Sequence, residues 1–261
     1  MKIARLGALV VALMATLTFS GAVCAQHGHD GDIVLGYDSL ATPSAIILEG
    51  EAANTISLYE ADFPQSGPGA FETPDPGFTT ENAPDPGDQD YLFVPGHHLY
   101  LRAVNAGTHI QGGSGLGFVN FHNGSNGYSI SASGRMQVLK GSGSIDVNNT
   151  NGSLAFSSPL FVATADVDGD IHSHVDFLLN SDFHAQTGAY GILFQFMTRD
   201  AGNNDVASSN PFWIVFNNGL DQNSFENAVS SFGSFQAVPE PGSGLLCAIA
   251  LGALAFRRRR K

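Results

Sequence analysis

Between Asp166 and Asp176, every second residue is an aspartate or a histidine, and both side-chain types bind metal ions. If the segment is extended, the two-residue period of a strand places all of them on one face. Two imidazoles at positions i and i+2 can reach one zinc ion, and a carboxylate or a third histidine would complete a tetrahedral set. The pattern therefore predicts a metal site among Asp166, Asp168, Asp170, His172, His174, Asp176 and the nearby His184.

The three aspartates at the start of this segment also indicate calcium as a candidate ion. An EF-hand loop is excluded, because it requires glycine at its sixth position and glutamate at its twelfth, where the chain has Ile171 and Phe177. A looser calcium site formed by Asp166, Asp168 and Asp170 stays open. A metal-free interpretation also stays open, in which these residues only form the solvent-facing side of a half-buried strand.

The strongly negative charge of the predicted exported region limits which molecules it can bind. Residues 26–241 contain four Lys or Arg residues against 24 Asp or Glu residues, a formal charge of −20. Nucleic acid is excluded as a partner, because its phosphates need a basic surface. The same residues contain all nine histidines of the chain, and exposed histidine tracts can collect zinc or copper without a defined site. The histidines outside the metal-site prediction are His27, His29, His97, His98, His109 and His122.

Motifs for catalysis are absent from the sequence. The chain has no Gly-x-Ser-x-Gly, no His-Glu-x-x-His, and no cysteine between the expected cleavage site at residue 25 and the apolar tail. A close pair of carboxylates is expected by chance among 24 acidic residues, so it does not indicate a glycosidase. The sequence therefore predicts that the protein is not an enzyme.

Residues 26–237 are predicted to form a mainly β ectodomain, a single antiparallel β-sandwich. Short apolar runs alternate with Gly, Asn, Ser and Asp, which is typical of strands joined by turns. One short helix is predicted from Asn223 to Phe232, with Asn223 as its N-cap and Glu226 in the capping-box position. The predicted strands are Ala45–Leu48, Thr55–Tyr59, Tyr91–Val94, Leu99–Val104, Gly117–Phe121, Tyr128–Ala132, Met136–Leu139, Phe161–Ala165, Ile171–Leu179, Tyr190–Thr198 and Phe212–Phe216.

One proline-rich segment, residues 62–90, interrupts this pattern. It contains Pro74-Asp75-Pro76-Gly77 and the same four residue types again at 84–87. Because proline cannot donate a ladder hydrogen bond, the segment is predicted to be an extended acidic loop rather than part of a sheet.

The N-terminal end has the three parts of a signal peptide. A basic start precedes an apolar run from Leu6 to Phe19, and small residues follow. This predicts a signal peptide at residues 1–25, cleaved between Ala25 and Gln26. A lipoprotein is the alternative, but Cys24 lacks the small residue directly before it and the leucine three residues before it.

The C-terminal end, residues 238–261, also has three parts. They are the spacer Val238-Pro239-Glu240-Pro241, an apolar stretch at 242–256, and the basic cluster Arg257, Arg258, Arg259, Arg260 and Lys261. A bilayer core needs about 20 apolar residues, so the predicted membrane helix is short and suits a transient anchor better than a lasting one. The basic cluster would hold its end in the cytoplasm. A plain tail anchor is the alternative.

This tail resembles the PEP-CTERM sorting signal of Gram-negative bacteria, which is sometimes labelled an ice-binding protein C-terminal domain. The resemblance implies an exosortase-type processing protease as partner, with a cut near Pro239-Glu240-Pro241 and transient contact with the inner membrane. It further implies export to the cell envelope, cell surface or extracellular matrix, where exopolysaccharide is a candidate partner. The chain has no threonine-rich flat repeat of the kind that ice binding would require.

A weaker resemblance covers residues 172–216. His172-Ser-His174-Val-Asp176-Phe177, followed by Gly188-Ala-Tyr190, is similar to a pattern in bacterial surface-anchored proteins found among zinc-regulated genes. The chain has Phe177 where those proteins often have tryptophan. The resemblance implies a zinc-ligand role for His172 and His174.

Two hypotheses for function follow. In the first, the ectodomain is a metal-binding surface module that captures Zn²⁺, or is held folded by Ca²⁺. In the second, it is a structural matrix or adhesion protein with no specific ligand, and its acidic surface only keeps it soluble. Analysis of the metal content of the purified protein separates the two.

Overall fold

The computed structural model describes residues 31–51, 56–64, 71–81, 91–110, 116–125, 128–130, 135–151, 154–179 and 186–235. The predicted signal-peptide cleavage at Ala25 and Gln26, the candidate ligand His184 and the sorting signal at 238–261 lie outside these residues. Among the described residues, no helix combines the length and the apolar character that crossing a membrane requires. The predicted C-terminal membrane helix lies outside them as well.

The described part of the chain is mainly β. Its strands are β1 (Ile33–Tyr37), β2 (Ile46–Leu48), β3 (Leu58–Asp62), β4 (Glu72–Thr73), β5 (Phe78–Thr79), β6 (His98–Val104), β7 (Val119–His122), β8 (Tyr128–Ile130), β9 (Arg135–Lys140), β10 (Gly143–Asn148), β11 (Leu160–Thr164), β12 (His172–Ser173), β13 (Asp176–Leu179), β14 (Gly188–Arg199), β15 (Asp205–Ser208) and β16 (Phe212–Asn218). Its α-helices are α1 (Ala106–His109) and α2 (Gln222–Gly233), and Asn149–Asn151 forms a 3-10 turn.

The largest sheet is built around β14, in the order β11-β6-β14-β16-β3, with β7 and β15 also paired to β14. Nearly all of β14 is buried, because both faces of the sheet are covered along this central strand. Its even-numbered residues, such as Phe194 and Phe196, enter the main core, whereas Ala189 and Leu193 enter a second core on the opposite face. Because successive side chains of a strand point to opposite faces, β14 contributes residues to both cores.

Two smaller sheets, β12-β5-β1-β2 and β10-β9-β13-β4, share the main core with the large sheet. The ring centroids of Phe78 on β5 and Phe196 on β14 are 4.9 Å apart. Phe177 on β13 and Phe194 on β14 are 5.9 Å apart. Aromatic rings therefore join each small sheet to the large one.

Not all of the strand pairs are antiparallel, which corrects the prediction. β1 runs parallel to β5, and β3 runs parallel to β16. The apolar alternation that predicted the strands specifies the face that each side chain takes. It carries no information on the direction of the neighbouring strand, so the parallel pairs were not predictable from it.

The proline-rich segment is the second correction. Residues 62–90 were predicted to form no ladder, yet β4 pairs with β13, and β5 lies between β1 and β12. Each of these strands is two residues long, and Pro74 and Pro76 lie between them rather than within them. Proline therefore limits the length of the strands without preventing them.

A third correction concerns Tyr91–Val94, which was predicted to be a strand. Tyr91 forms an isolated bridge with Glu81. The carbonyl of Leu92 accepts from Tyr37 N, and Phe93 N donates to the carbonyl of Gly169. The segment divides its backbone hydrogen bonds among different neighbours, so it joins no continuous ladder.

Helix α2 covers part of the outer face of the large sheet. Its apolar residues Phe225, Ala228, Val229 and Phe232 recur at helical spacing and are buried in the second core. The helix begins one residue earlier than predicted, and its N-cap is Asp221 rather than Asn223. The Asp221 carboxylate accepts a hydrogen bond from Ser224 N at 3.1 Å, which fixes that start.

Candidate metal centre

The segment from Asp166 to Asp176 is not one continuous strand, which corrects the prediction that all six ligands share a face. Its first part is a turn in which the Asp166 carboxylate accepts hydrogen bonds from Asp168 N at 2.9 Å and Asp170 N at 3.0 Å. Gly169 has a φ of 89°, a left-handed conformation that glycine adopts readily. This turn separates the three aspartates from the strand that follows.

The strand alternation holds from Ile171 onward. Ile171, Ser173, Val175, Phe177 and Leu179 are buried, and the even-numbered residues between them are exposed or half-buried. His172, His174 and Asp176 therefore point away from the core, as predicted.

The structure brings a further acidic residue, Asp32, to the two histidines. In the sheet β12-β5-β1-β2, Ile33 pairs with Phe78, which pairs with Ser173. The residues next to these in sequence lie just beyond the ends of the three strands and continue the same register. They form the row Asp32, Gly77 and His174. Neighbouring strands are about 4.8 Å apart, so the side chains of Asp32 and His174 meet above the central residue of the row, Gly77.

The three side chains form a compact group. His172 Nδ1 lies 3.4 Å from Asp32 Oδ2, and His174 Nε2 lies 3.9 Å from Asp32 Oδ1. One ligand atom from each residue lies within 4.8 Å of the other two. The side chain of Asp32 is 20 % exposed, that of His174 41 % and that of His172 68 %. The group is therefore open to solvent on the side of His172.

Gly77 makes room for this arrangement. A Cβ atom at position 77 would overlap the Asp32 carboxylate and the imidazole of His174. No other residue type fits between these two side chains without moving them. The glycine is therefore required for this arrangement of the Asp32 and His174 side chains.

Two hydrogen bonds orient His174. Its Nδ1 lies 3.2 Å from the carbonyl oxygen of Pro74. Because a carbonyl only accepts, Nδ1 carries the proton, and the lone pair of the neutral ring is on Nε2, which faces Asp32. The Lys140 ammonium donates to the backbone carbonyl of His174 at 2.6 Å. The Lys140 bond holds the backbone of His174, and the ring bond from Nδ1 to the Pro74 carbonyl is of the kind by which proteins commonly orient a histidine that binds a metal.

The donor set fits zinc in type and in size. Two imidazole nitrogens and one carboxylate oxygen are common zinc ligands, with metal–ligand distances that give a tetrahedral edge of about 3.3 Å. The 3.4 Å between His172 Nδ1 and Asp32 Oδ2 is close to that edge, whereas the 3.9 Å between His174 Nε2 and Asp32 Oδ1 is longer, so His174 must move closer for all three to bind one ion. Calcium prefers oxygen donors alone, so this group does not suit it.

Comparison with protein families adds the decisive observation on the C-terminal end. Residues 237–261 match the family model described as the PEP-CTERM protein-sorting motif. The chain carries a PEP-CTERM sorting motif. A motif of this kind indicates an exosortase-sorted protein that is exported to the cell envelope or surface. Searches of curated proteins and of solved structures found no match.

In this PEP-CTERM protein, the metal-ligand group lies outside the sorting motif, in the folded part of the chain that precedes it. An acidic cavity of about 310 Å³ adjoins the group and shares Asp32 with it. Glu60, Asp62 and Asp75 also line this cavity. Their negative charge raises the local concentration of cations around the ligands.

The other predicted ligands lie apart from the group. The Asp166 carboxylate accepts the two backbone hydrogen bonds of the turn, and Asp170 accepts from the Thr80 hydroxyl at 3.3 Å. Asp168 and Asp176 are not in the group of three that the described residues form. His184 lies outside the described residues. Of the six predicted ligands among the described residues, the structure brings together His172 and His174, and it places Asp32 beside them.

The remaining described histidines have other roles. His97 lies 2.8 Å from the Tyr37 hydroxyl, and His98 lies 2.8 Å from the Thr164 hydroxyl. His122 accepts from Gly124 N at 2.9 Å, and burial lowers its pKa. None of these three rings belongs to the metal-ligand group that the described residues form.

Proposed function

We propose that this PEP-CTERM protein is an envelope or surface protein whose exported domain binds a zinc ion through Asp32, His172 and His174. The observation that supports it most is the convergence of Asp32 on the two histidines across 140 residues of sequence. A solvent-facing pattern of aspartate and histidine needs no such convergence. The role proposed is binding rather than catalysis.

Three features of the surroundings support zinc. The hydrogen bond to Pro74 leaves Nε2 of His174 free for a metal. The empty space above Gly77 lets Asp32 and His174 approach the same point. The carboxylates of the adjoining cavity attract cations. The calcium alternative has less support, since the Asp166 carboxylate already accepts two backbone hydrogen bonds.

The exposure of the group favours exchange over permanent retention. Structural zinc sites usually have four protein ligands and are closed, whereas sites with three keep an open position. With His172 largely exposed, the ion would enter and leave without unfolding the domain. The proposed function is therefore reversible capture or buffering of zinc outside the cytoplasmic membrane.

Zinc titration of the full chain in detergent, after removal of metal by a chelator, tests this proposal. We expect His172→Ala/His174→Ala and Asp32→Asn to lower the affinity for zinc by more than about 100-fold, above the effect of losing an outer-shell partner. Asp176→Asn is the matched control, because Asp176 shares the outward face but lies outside the group. Equal zinc uptake by the wild type and the double variant would contradict the proposal.

A structural matrix or adhesion protein is the second candidate function. On the outward side of β6 and β11, the half-buried Tyr100 and the exposed Phe161 have ring centroids 5.7 Å apart. The Arg199 guanidinium lies 5.0 Å from the centroid of the Tyr100 ring. Aromatic and arginine side chains are enriched at protein–protein interfaces, so this face suits contact with another matrix component, with exopolysaccharide as the candidate partner that the sorting motif implies. Co-sedimentation with matrix polysaccharide, lost in Tyr100→Ala/Phe161→Ala, is the expected result.

A further inference from the structure

The Asn-Gly pair Asn123-Gly124 directly follows strand β7, where the chain turns toward β8. Glycine has no side chain to shield its backbone nitrogen, so this nitrogen can approach the side-chain amide of the preceding asparagine. Attack of the nitrogen on the amide carbon closes a cyclic imide and releases ammonia. In a folded protein, the groups around an Asn-Gly pair decide whether this reaction is favoured.

The side chain of His122 contacts the proton that Gly124 would lose. Its Nδ1 accepts a hydrogen bond from Gly124 N at 2.9 Å. The lone pair of the neutral ring is therefore on Nδ1, in the form that can take a proton as a base. Burial of His122 lowers its pKa below the ordinary value of 6.5, so the ring is neutral at pH 7. A base is thus in contact with the nitrogen that must attack.

The side-chain oxygen of Asn123 faces two hydrogen-bond donors. Oδ1 accepts from Ser125 N at 3.0 Å, and the Ser125 hydroxyl donates to the same oxygen at 3.4 Å. Negative charge develops on this oxygen when a nitrogen attacks Cγ, and donors that are already in place stabilise that charge. The same turn therefore supplies a base for the attacking nitrogen and donors for the oxyanion.

We propose that Asn123-Gly124 is a self-modification site, at which Asn123 is converted to aspartate and isoaspartate. Gly124 N forms a bond to Asn123 Cγ, and His122 Nδ1 takes the proton from this nitrogen. The bond from Cγ to Nδ2 breaks, and the proton passes to the leaving ammonia. Water then opens the cyclic imide at either of its two carbonyls. A groove of about 530 Å³ beside His122 and Ser125 gives water access to the turn.

A second Asn-Gly pair, Asn218-Gly219, has different surroundings. Asn218 is buried, and its Nδ2 donates to the carbonyl oxygen of Gln186 at 2.8 Å. This bond holds the nitrogen that would have to leave, so we expect Asn218 to be much less reactive than Asn123. The pairs at 126–127 and 151–152 include residues outside the described part of the chain.

Modification of Asn123 would act on the contact between this turn and helix α2. A Cβ atom at Gly124 would lie only 2.8 Å from the Cβ of Ser224, so the turn is packed directly against the start of the helix. Isoaspartate lengthens the main chain by one methylene and shifts Gly124 against this neighbour. We therefore expect the isoaspartate form to have a lower melting temperature than the unmodified protein.

The test follows the folded full chain in detergent at neutral pH and physiological temperature. Peptide mass spectrometry detects conversion of amide to acid at Asn123 and Asn218, and labelling with an isoaspartyl methyltransferase measures isoaspartate. We expect Asn123 to react faster than Asn218, and faster in the folded protein than in concentrated urea. His122→Asn keeps a hydrogen-bond acceptor near the position of Nδ1 but removes the base, so the reaction should slow at least about tenfold. The matched control, His109→Asn, should leave the rate at Asn123 unchanged.

Each other outcome overturns the proposed site. If Asn123 in the wild type reacts no faster folded than in urea, the hydrogen bonds of the turn do not promote the reaction, and this comparison holds even if His122→Asn fails to fold. If folded His122→Asn reacts at the wild-type rate, His122 is not the base. If aspartate forms without isoaspartate, the cyclic imide is not an intermediate. Zinc affinity should be the same in His122→Asn and in the wild type, so failure here leaves the proposed zinc site untouched.

Discussion

The turn at 166–170 and the row of Asp32, Gly77 and His174 both contain the residue types that bind metals, but they use them differently. In the turn, the Asp166 carboxylate accepts hydrogen bonds from two backbone N–H groups of its own segment. In the row, the Asp32 carboxylate faces two imidazoles from a distant part of the chain. In the sequence, the three aspartates of the turn look more like a metal site. In the structure, the ligand atoms that remain available are those of Asp32 and the two histidines.

The difference shows what a pattern of ligand types leaves out. A carboxylate near free N–H groups in its own turn is consumed by local structure, as at many caps and turns. A carboxylate at the edge of a strand has fewer local donors and stays available for partners across the sheet.

Gly77→Ala tests whether the space in the row is needed. The added Cβ overlaps Asp32 and His174, so we expect zinc affinity to fall at least about tenfold and the free energy of unfolding to fall by about 1–3 kcal/mol. Gly31→Ala is the matched control, because a Cβ there meets nothing within 4 Å. Calorimetric zinc titration and chemical denaturation of both variants give the two quantities. Unchanged zinc affinity in Gly77→Ala would remove the glycine from the site.

Asp166→Ala tests the opposite region. Loss of its two hydrogen bonds should lower the free energy of unfolding by about 1–2 kcal/mol, while the affinity for zinc stays at the wild-type value. Asp168→Ala, in the same turn, should change neither quantity, because the Asp168 side chain is exposed. Urea denaturation and zinc titration distinguish the two roles. A loss of zinc affinity in Asp166→Ala would instead restore the turn as a metal site.

Asp221→Ala extends the comparison to helix α2. The Asp221 carboxylate accepts from Ser224 N and from the Ser224 hydroxyl, and these bonds lower its pKa. Its loss should lower the melting temperature, whereas Asn223→Ala, at the N-cap predicted from sequence, should leave it nearly unchanged. Thermal unfolding followed by circular dichroism measures both. An equal decrease in the two variants would argue against Asp221 as the cap.

Asp38 offers the smallest effect and a direct titration. The hydroxyl of Ser44, then the backbone N–H groups of Ser44 and Ala45, lower the pKa of the Asp38 carboxyl to about 2. A lowered pKa contributes stability that is fully present above the ordinary value of 3.8 and is lost as the pH falls toward 2. Carbon-detected NMR of the carboxyl group gives the pKa. Ser44→Ala should move it back toward 3.8, and an unshifted value in the wild type would contradict the local hydrogen bonds.

Much of the fold was predictable from the sequence where strands are long and apolar. The predicted strands at Leu99–Val104, Tyr190–Thr198 and Phe212–Phe216 correspond to β6, β14 and β16, each longer in the structure by one to three residues. The two-residue strands β4 and β5 were missed, because so short a segment shows no alternation and lies between prolines. Packing against neighbouring strands, rather than local preference, makes them strands.

Two of the four residues that form the candidate site could be predicted from the sequence. His172 and His174 were predicted because their spacing matches the period of a strand. Asp32 could not be predicted, because it is 140 residues from His172 in sequence and its position beside the histidines depends on the parallel pairing of β1 with β5. The only local signal was an acidic residue at the start of an apolar run, next to a histidine tract. Gly77 carried no signal either, because its role appears only once the row is assembled.

The position of helix α2 has a consequence for the stage before the sorting motif is processed. The helix ends at Gly233, and the motif begins at residue 237, so only a few residues connect the folded domain to the motif. Such a tether spans at most about 14 Å. If the predicted apolar stretch at 242–256 enters the bilayer, an uncut chain keeps this end of the domain near the membrane, and a protease acting near Pro239 must work in the gap between the two. Lengthening the tether with glycine and serine should speed processing if access to the gap is what limits it.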